Sequence, residues 1–147
     1  MRVKDCMCNN LVKAAPDTTV VEAAKLMNSN QIGCLPICSE GDKVVGFVTD
    51  RDIITRAVAH NKDCNNTKLS DIMTINVIKT TADTDIEEAE KIMANNQVRR
   101  LPVLEKGKVI GILTIGDIAQ QHKISCEELG RVFESICDCD NNSQNNC

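Results

Sequence analysis

Hydrophobic and polar positions follow one pattern that occurs twice along the chain. Residues 3–38 align without gaps on residues 69–104, and after one residue of slack the match continues from Gly46 onto Gly111. The identities include Asp5/Asp71, Met7/Met73, Asp17/Asp83, Glu22/Glu88, Ala23/Ala89, Met27/Met93, Leu35/Leu101 and Pro36/Pro102. A repeat of about half the chain indicates a duplicated domain rather than a solenoid.

Short apolar runs with β-branched residues predict three strands in each copy. The runs lie at 11–14, 34–38 and 44–49 in the first copy, and at 77–80, 101–104 and 109–114 in the second. The middle strand of each copy contains a proline, so a missing N–H donor must be tolerated there. Gly41 and Gly107 lie between the last two strands, where they predict hairpin turns.

Apolar residues at helical spacing predict two helices in each copy. The first helix follows Thr19, which forms a capping box with Glu22, whereas Thr84 and Asp85 compete to cap its counterpart. The last helices are expected at 50–59 and 115–121. The buried stripes of the first helices are expected to be Val20, Ala23, Ala24 and Met27, and Ile86, Ala89 and Met93. Each copy therefore has the order β-α-β-β-α, in an α/β (α+β) fold.

The turn from the last strand to the last helix carries Thr-x-x-Asp in both copies. The residues are Thr49 and Asp52 in the first copy, and Thr114 and Asp117 in the second. A helix start favours an anion such as phosphate, and an Asp in the first turn can accept hydrogen bonds from a sugar diol. Thr and Asp are also common helix caps. The duplication favours the binding interpretation over capping alone.

The C-terminal region lies outside the repeat. Ser125 and Glu128 form another capping box, and the apolar residues Leu129, Val132, Phe133 and Ile136 follow at helical spacing. We expect a helix at 124–137 that either packs on its own domain or forms a dimer contact. The Asn-rich residues 138–147 are expected to be disordered.

Composition narrows the classes of partner. Aromatic residues make up 1% of the chain and the net charge is −4, so neither stacking platforms nor a basic field favours nucleic acid. No apolar run approaches the roughly 20 residues of a membrane-spanning helix. The N-terminal residues lack the apolar core of a signal peptide. We therefore expect a cytoplasmic protein that binds neither nucleic acid nor membrane.

The nine cysteines are interpreted as reduced thiols. Cys34 and Cys38 flank an apolar strand and are expected to pack as small hydrophobic residues. A four-thiolate zinc site typically uses two Cys-x-x-Cys pairs, and the chain has only Cys-x-Cys at Cys6/Cys8 and Cys137/Cys139. No metal is expected, although a redox or metal-binding role stays open as an alternative.

The chain resembles a tandem pair of cystathionine-β-synthase (CBS) domains. The resemblance rests on the duplicated β-α-β-β-α order, the Leu-Pro-Ile/Val strand, the Gly-x-x-Thr-x-x-Asp turn and the Asp-x-Met approach to each copy. It covers residues 3–122 and implies two intertwined repeats related by pseudo-two-fold symmetry, with clefts between them. Under this interpretation residues 1–62 and 63–123 form the two repeats.

The resemblance implies a regulatory ligand rather than a substrate. Many members of the family bind AMP, ADP, ATP or S-adenosylmethionine, so Asp52 and Asp117 are expected to hold ribose, and Thr49 and Thr114 to face phosphate. The base is expected against residues of the first and middle strands. These residues are Val12, Ala14, Ile37, Ile78, Thr80 and Val103. Arg99 and Arg100 are expected either to reach a polyphosphate or to form a solvated surface pair.

No catalytic pattern accompanies these residues. The chain has neither a Gly-x-x-x-x-Gly-Lys phosphate loop nor His-Glu-x-x-His, so we expect no enzyme activity and no required cofactor. Arg51 is interpreted as part of a local ion pair. The resemblance predicts a homodimer that senses a nucleotide and signals to a protein partner or to its own oligomer. A ligand-independent dimerisation module stays open as the other alternative.

Overall fold

The computed structural model describes residues 1–121 and 125–137, which form two compact units. One unit, called here the Asp52 unit, comprises Asn10–Val77 and Leu104–Ile110. The other, the Asp117 unit, comprises Met1–Asn9, Ile78–Val103 and the described residues from Gly111 onward. None of the described helices has the length and apolar character needed to cross a membrane.

The Asp52 unit is built around helix α1 (Val20–Asn30) and two antiparallel strands, β1 (Cys34–Cys38) and β2 (Val44–Thr49). The predicted capping box starts α1, because Glu22 N donates to Thr19 Oγ1 at 3.3 Å and Thr19 N to Glu22 Oε2 at 2.8 Å. The stripe residues Val20, Ala23 and Met27 are buried as predicted. Ala24 is exposed, so its placement in that stripe is wrong.

The strand predicted at 11–14 is reduced to a single bridge. Only Ala14 pairs with β1: its N–H donates to Pro36 O at 3.1 Å, and its carbonyl accepts from Cys38 N at 2.9 Å. The next rung of a parallel ladder would need an N–H at residue 36, and proline has none. The missing donor at Pro36 therefore limits how far the segment at 11–14 can pair with β1.

The last helix of the Asp52 unit is irregular rather than the continuous helix predicted at 50–59. An α-helical turn, α2 (Asp50–Asp52), continues as a π-helix at Ile53–Ala57 and a 3₁₀ turn at Val58–His60. The π-helical stretch begins Ile-Ile-Thr, and β-branched residues have low helix propensity. Ala57 is the one buried residue of this stretch, so few packing contacts hold the segment in regular α-helical geometry.

The Asp117 unit contains helix α3 (Ile86–Asn96), and its stripe residues Ile86, Ala89 and Met93 are buried as predicted. Asp85 occupies the N-cap position without a side-chain hydrogen bond to the helix. The sheet of the second repeat consists of β3 (Thr80–Thr81), β4 (Arg100–Glu105) and β5 (Lys108–Thr114), in that order. Helix α4 (Ile115–Gln120) follows β5 directly.

The C-terminal helix α5 (Cys126–Cys137) packs on α3 within the same unit. Ser125 caps it as predicted, because Glu128 N donates to Ser125 Oγ at 3.2 Å. Ile136 is buried, whereas Phe133 is 40% exposed, so the predicted apolar stripe is only partly covered within this unit. The predicted tail at 138–147 lies outside the described residues.

The leading segment of each repeat is hydrogen-bonded to the other repeat. Val3 N donates to Thr84 O at 2.9 Å, and Leu69 N donates to Thr18 O at 2.8 Å. The Asp residues of the Asp-x-Met sequences shape these segments, since Asp5 and Asp71 accept from the backbone of Arg2 and Lys68. Each unit therefore combines most of one repeat with the leading segment of the other, and the Asp52 unit also includes Leu104–Ile110 of the second repeat.

The methionine of each Asp-x-Met sequence packs against a glycine of the last strand. A Cβ built on Gly111 would lie 2.6 Å from Met7 Sδ and 3.1 Å from Cys8 O, and one on Gly46 would collide with the sulfur of Met73. Cys8 and Ile112 bond through both backbone groups at this point, as Phe47 and Thr74 do in the Asp52 unit. The glycines are needed because the leading backbone approaches the strand closely.

Gly111→Ala is expected to destabilise the protein by about 1–3 kcal/mol, because the new methyl group overpacks the contact with Met7. The matched control is Gly130→Ala in α5, where a Cβ meets no atom within 4 Å. The control should stabilise by roughly 0.5–1 kcal/mol, since alanine favours helix. Urea denaturation measures both changes. Equal stability of the two variants would contradict the packing described here.

Glu90 lies half-buried on α3, the helix that packs against α5. Its Oε1 is buried and has no hydrogen-bond partner among the described residues. Burial raises the pKa of its carboxyl group, and the carboxylates of Glu128 and Glu87 raise it further. The folded state therefore favours the protonated form, and ionisation of Glu90 opposes the packing of α3 and α5.

Glu90→Gln is expected to stabilise the protein at pH 7 and to have a smaller effect near pH 4. The folded pKa lies above the unfolded pKa, so the favourable contribution of Glu90 is present at low pH and is lost as the pH rises through the folded pKa. Thermal denaturation at the two pH values measures the difference, with the exposed Glu88→Gln on the same helix as control. A stabilisation independent of pH would contradict this account.

Candidate functional site

The turn from β5 to α4 is held by reciprocal hydrogen bonds between Thr114 and Asp117. Asp117 N donates to Thr114 Oγ1 at 3.1 Å, and Asp117 Oδ2 accepts from Thr114 N at 2.8 Å and from Thr114 Oγ1 at 2.7 Å. Among the described residues, Asp117 Oδ1 has no partner. Both side chains are partly buried, so the turn presents one carboxylate oxygen from a fixed position.

The equivalent turn from β2 to α2 has the same backbone hydrogen bonds. Asp52 N donates to Thr49 Oγ1 at 3.2 Å, and Thr49 N donates to Asp52 Oδ2 at 2.9 Å. Here the hydroxyl proton of Thr49 has no acceptor within the described part of the chain. Both Thr-x-x-Asp sequences are therefore capping boxes. They differ in which side-chain atoms remain available to bind a ligand.

Asp52 is engaged by an arginine that the sequence analysis did not single out. Arg56 Nε lies 3.6 Å from Asp52 Oδ1, an ion pair with i,i+4 spacing. The prediction of an ion pair for Arg51 is wrong, because no such pair forms among the residues described. The i,i+4 spacing of opposite charges indicates the Arg56 pair from sequence. Gln121 occupies the corresponding position in the second repeat.

The two helix starts also differ in how their second backbone N–H group is bonded. Ile115 N donates to Arg99 O at 3.1 Å and Asp50 N to Gly33 O at 3.0 Å, so the first N–H is satisfied in both units. The second N–H is satisfied in the Asp52 unit, where Arg51 N donates to Asp50 Oδ1 at 2.9 Å. In the Asp117 unit Gly116 N has no partner within the described residues.

A buried hydroxyl adds a further difference between the units. Thr80 is 5% exposed in β3, and its Oγ1 has no hydrogen-bond partner among the described residues. Ala14 occupies the aligned position in the Asp52 unit. Leaving a buried hydroxyl unpaired costs about 1–3 kcal/mol, so a ligand atom that pairs with Thr80 would recover part of that free energy.

The other predicted site residues divide between the two units. Val12, Ala14 and Ile37 share the Asp52 unit, whereas Ile78, Thr80, Arg99, Arg100 and Val103 share the Asp117 unit. Ile37 and Val103 have no exposed surface, so neither residue can contact a ligand in this conformation. Ile78 is 37% exposed and Arg99 is exposed, whereas Arg100 is half-buried at the start of β4.

The described residues contain no group of three or more His, Cys, Asp or Glu placed to hold a metal ion. Cys34 and Cys38 are buried in β1, which confirms their predicted packing as small hydrophobic residues. Burial raises the pKa of the Cys38 thiol, with Lys13 acting in the opposite direction, so this thiol is a poor nucleophile. Among the described residues, the two Thr-x-x-Asp turns therefore remain the candidates for ligand binding.

The fold and its paired turns define a tandem pair of β-α-β-β-α domains. The chain belongs to the CBS-domain family, whose profile matches residues 3–59 and 69–122. This confirms the resemblance and the fold class inferred from the sequence. The CBS domain-containing protein YhcV of Bacillus subtilis is 33% identical over 134 residues, which cover 91% of this chain and 94% of YhcV.

Solved structures agree with this assignment. The crystal structure of hypoxic response protein I with two coordinated zinc ions is 32% identical, with a TM-score of 0.76, and the match covers 82% of this chain and 98% of that one. The CBS domain pair of protein MJ0100, solved with 5′-methylthioadenosine and S-adenosyl-L-methionine, is 32% identical with a TM-score of 0.75. That match covers 82% of this chain and 94% of the MJ0100 chain.

Proposed function

We propose that this protein is a regulatory module that binds an adenosine-containing ligand in the Asp117 unit. The observation that carries the proposal is the carboxylate of Asp117, which is fixed by Thr114 and keeps Oδ1 without a partner among the described residues. An ionised carboxylate can accept hydrogen bonds from both hydroxyls of a ribose. The ligand would be AMP, ADP, ATP or S-adenosylmethionine.

The buried hydroxyl of Thr80 supports the same unit. It belongs to the strand that the family resemblance places beside the base, and its Oγ1 lacks a partner in the described residues. A base nitrogen or a ligand hydroxyl would satisfy it. The structural neighbour MJ0100 supports the ligand class, since its CBS pair was solved with two adenosine-containing molecules.

A phosphate contact from Thr114 needs a local rearrangement. Its hydroxyl proton is directed to Asp117 Oδ2 at 2.7 Å, so donation to a phosphate requires that hydrogen bond to be exchanged. The backbone N–H of Gly116 has no partner among the described residues, so at this helix start it is available to an anion without such an exchange. We therefore propose that ribose recognition contributes more than phosphate recognition.

Asp117→Ala is expected to weaken adenine nucleotide binding by roughly ten- to a hundredfold, because a hydrogen bond to a charged group contributes about 1.5–3 kcal/mol. Calorimetry with AMP, ADP, ATP and S-adenosylmethionine measures the change. The 2′-deoxy ligand should lose affinity on the wild type and lose little more on the variant. The proposal fails if none of the ligands binds below millimolar concentration, or if the substitution leaves affinity unchanged.

Thr80→Val provides a control that separates binding from folding. Removing an unpaired buried hydroxyl should leave the ligand-free protein as stable as the wild type or slightly more stable. The same change should weaken ligand binding if the hydroxyl contacts the ligand. A loss of stability without loss of affinity would show that Thr80 serves the fold alone.

We further propose that the protein forms a homodimer and signals to a protein partner or through its own oligomer. Ile54 and Val58 are 60% and 55% exposed, and they lie four residues apart in the last helical segment of the Asp52 unit. Burying such side chains against a second copy would be favourable. Replacing both by Ser should shift sedimentation toward monomer at tens of micromolar, with Thr55→Ala as control. A wild-type protein that sediments only as monomer would contradict the proposal.

A further inference from the structure

Arg56 connects the Thr-x-x-Asp turn of the Asp52 unit to the leading segment that packs beside it. Its Nε pairs with Asp52 Oδ1 at 3.6 Å, and its Nη1 donates to Ile72 O at 2.9 Å and to Thr74 Oγ1 at 3.1 Å. Two hydrogen bonds and one ion pair therefore hold the guanidinium. The ion pair engages the carboxylate oxygen of Asp52 that corresponds to Asp117 Oδ1, which has no partner among the described residues.

The second repeat lacks this arrangement because one residue differs. Gln121 stands four residues after Asp117, where Arg56 stands after Asp52. A neutral amide at this position forms no ion pair, and Asp117 Oδ1 keeps no partner among residues 1–121 and 125–137. The backbone geometry of the two capping boxes is otherwise closely similar, so the difference in carboxylate availability follows the Arg/Gln difference.

We infer that Arg56 is a specificity-determining residue that makes the two candidate sites unequal, by holding Asp52 away from a ribose diol. This inference rests on the proposed function. Ligand occupies the Asp117 unit first, and it reaches Asp52 only by displacing the guanidinium. Arg56 therefore competes with the ribose for the Asp52 carboxylate. The Asp117 carboxylate has no such competitor, so its site is open and the Asp52 site is closed.

The expected size of the effect is modest. Asp52 is 16% exposed, but the side chain of Arg56 is 45% exposed, so solvent screens the ion pair. Opening the carboxylate should therefore change affinity by roughly two- to tenfold rather than by orders of magnitude. Such a change is measurable by calorimetry when the other site is disabled.

The experiment isolates the Asp52 site in an Asp117→Ala background. Arg56→Gln is added there, and adenosine and AMP are titrated into both proteins. Adenosine is neutral, so removal of the positive charge does not alter its long-range attraction to the protein. Adenosine affinity should rise by roughly two- to tenfold. Arg51→Gln in the same background is the matched control, because it removes a neighbouring charge that has no ion pair among the described residues.

The converse variant tests the same competition in the open site. Gln121→Arg in an Asp52→Ala background places a guanidinium four residues after Asp117 and should weaken adenosine binding by a similar factor. This arm starts from the stronger site, so a loss of affinity is readily measured. Circular dichroism spectra of all the variants establish that each is folded before titration.

The outcomes separate this inference from the proposed function. Tighter adenosine binding after Arg56→Gln, with weaker binding after Gln121→Arg, supports it. Unchanged adenosine affinity with reduced AMP affinity after Arg56→Gln overturns it, because Arg56 would then be a phosphate ligand. Wild-type binding that both substitutions leave unchanged also overturns it while the proposed function stands. A wild type that binds no adenine ligand overturns both.

Discussion

The reciprocal hydrogen bonds of the Thr-x-x-Asp turns both start a helix and orient a carboxylate. Thr114 and Asp117 each satisfy a backbone N–H of the other, so the last strand ends and the next helix begins within three residues. Losing a cap of this kind costs about 0.5–2 kcal/mol of stability. Because the same carboxylate is proposed to bind ribose, the chemistry of the site depends on an interaction that the fold already requires.

The exchanged leading segments explain why each unit carries its own set of candidate residues. Met7 packs on Gly111 and Met73 on Gly46, so the segment before one repeat completes the last strand of the other. A side chain larger than hydrogen at either glycine would separate the two backbones. The Asp-x-Met sequence is thus a structural element, and its role differs from that of the Thr-x-x-Asp turn.

Much of the fold was predictable because the internal repeat supplies two copies of each element, and their hydrophobic patterns can be compared. The stripe of α3, the Thr19 and Ser125 caps and the two Gly-containing turns were all predictable from local sequence. The exchange of the leading segments was not, since a contact between residues 7 and 111 leaves no local periodicity. The prediction of a strand at 11–14 is wrong because Pro36 removes a hydrogen-bond donor from the partner strand. The hydrophobic pattern of residues 11–14 does not reveal that loss.

The two Thr-x-x-Asp capping boxes were predictable from the sequence, whereas the difference between them was only partly predictable. Both Thr-x-x-Asp sequences look alike, and the difference arises from side chains outside them: Arg56 against Gln121, and Thr80 against Ala14. The i,i+4 spacing indicated the Arg56 pair, whereas the unpaired hydroxyl of Thr80 depends on its tertiary environment.

A crystal structure of the protein with bound AMP tests the central claim most directly. The account predicts the ribose hydroxyls within hydrogen-bond distance of Asp117 Oδ1, with a polar ligand atom paired to Thr80 Oγ1. At limiting ligand, the Asp52 turn should keep its Arg56 ion pair. A ligand bound elsewhere, or one whose ribose leaves Asp117 uncontacted, would contradict the account.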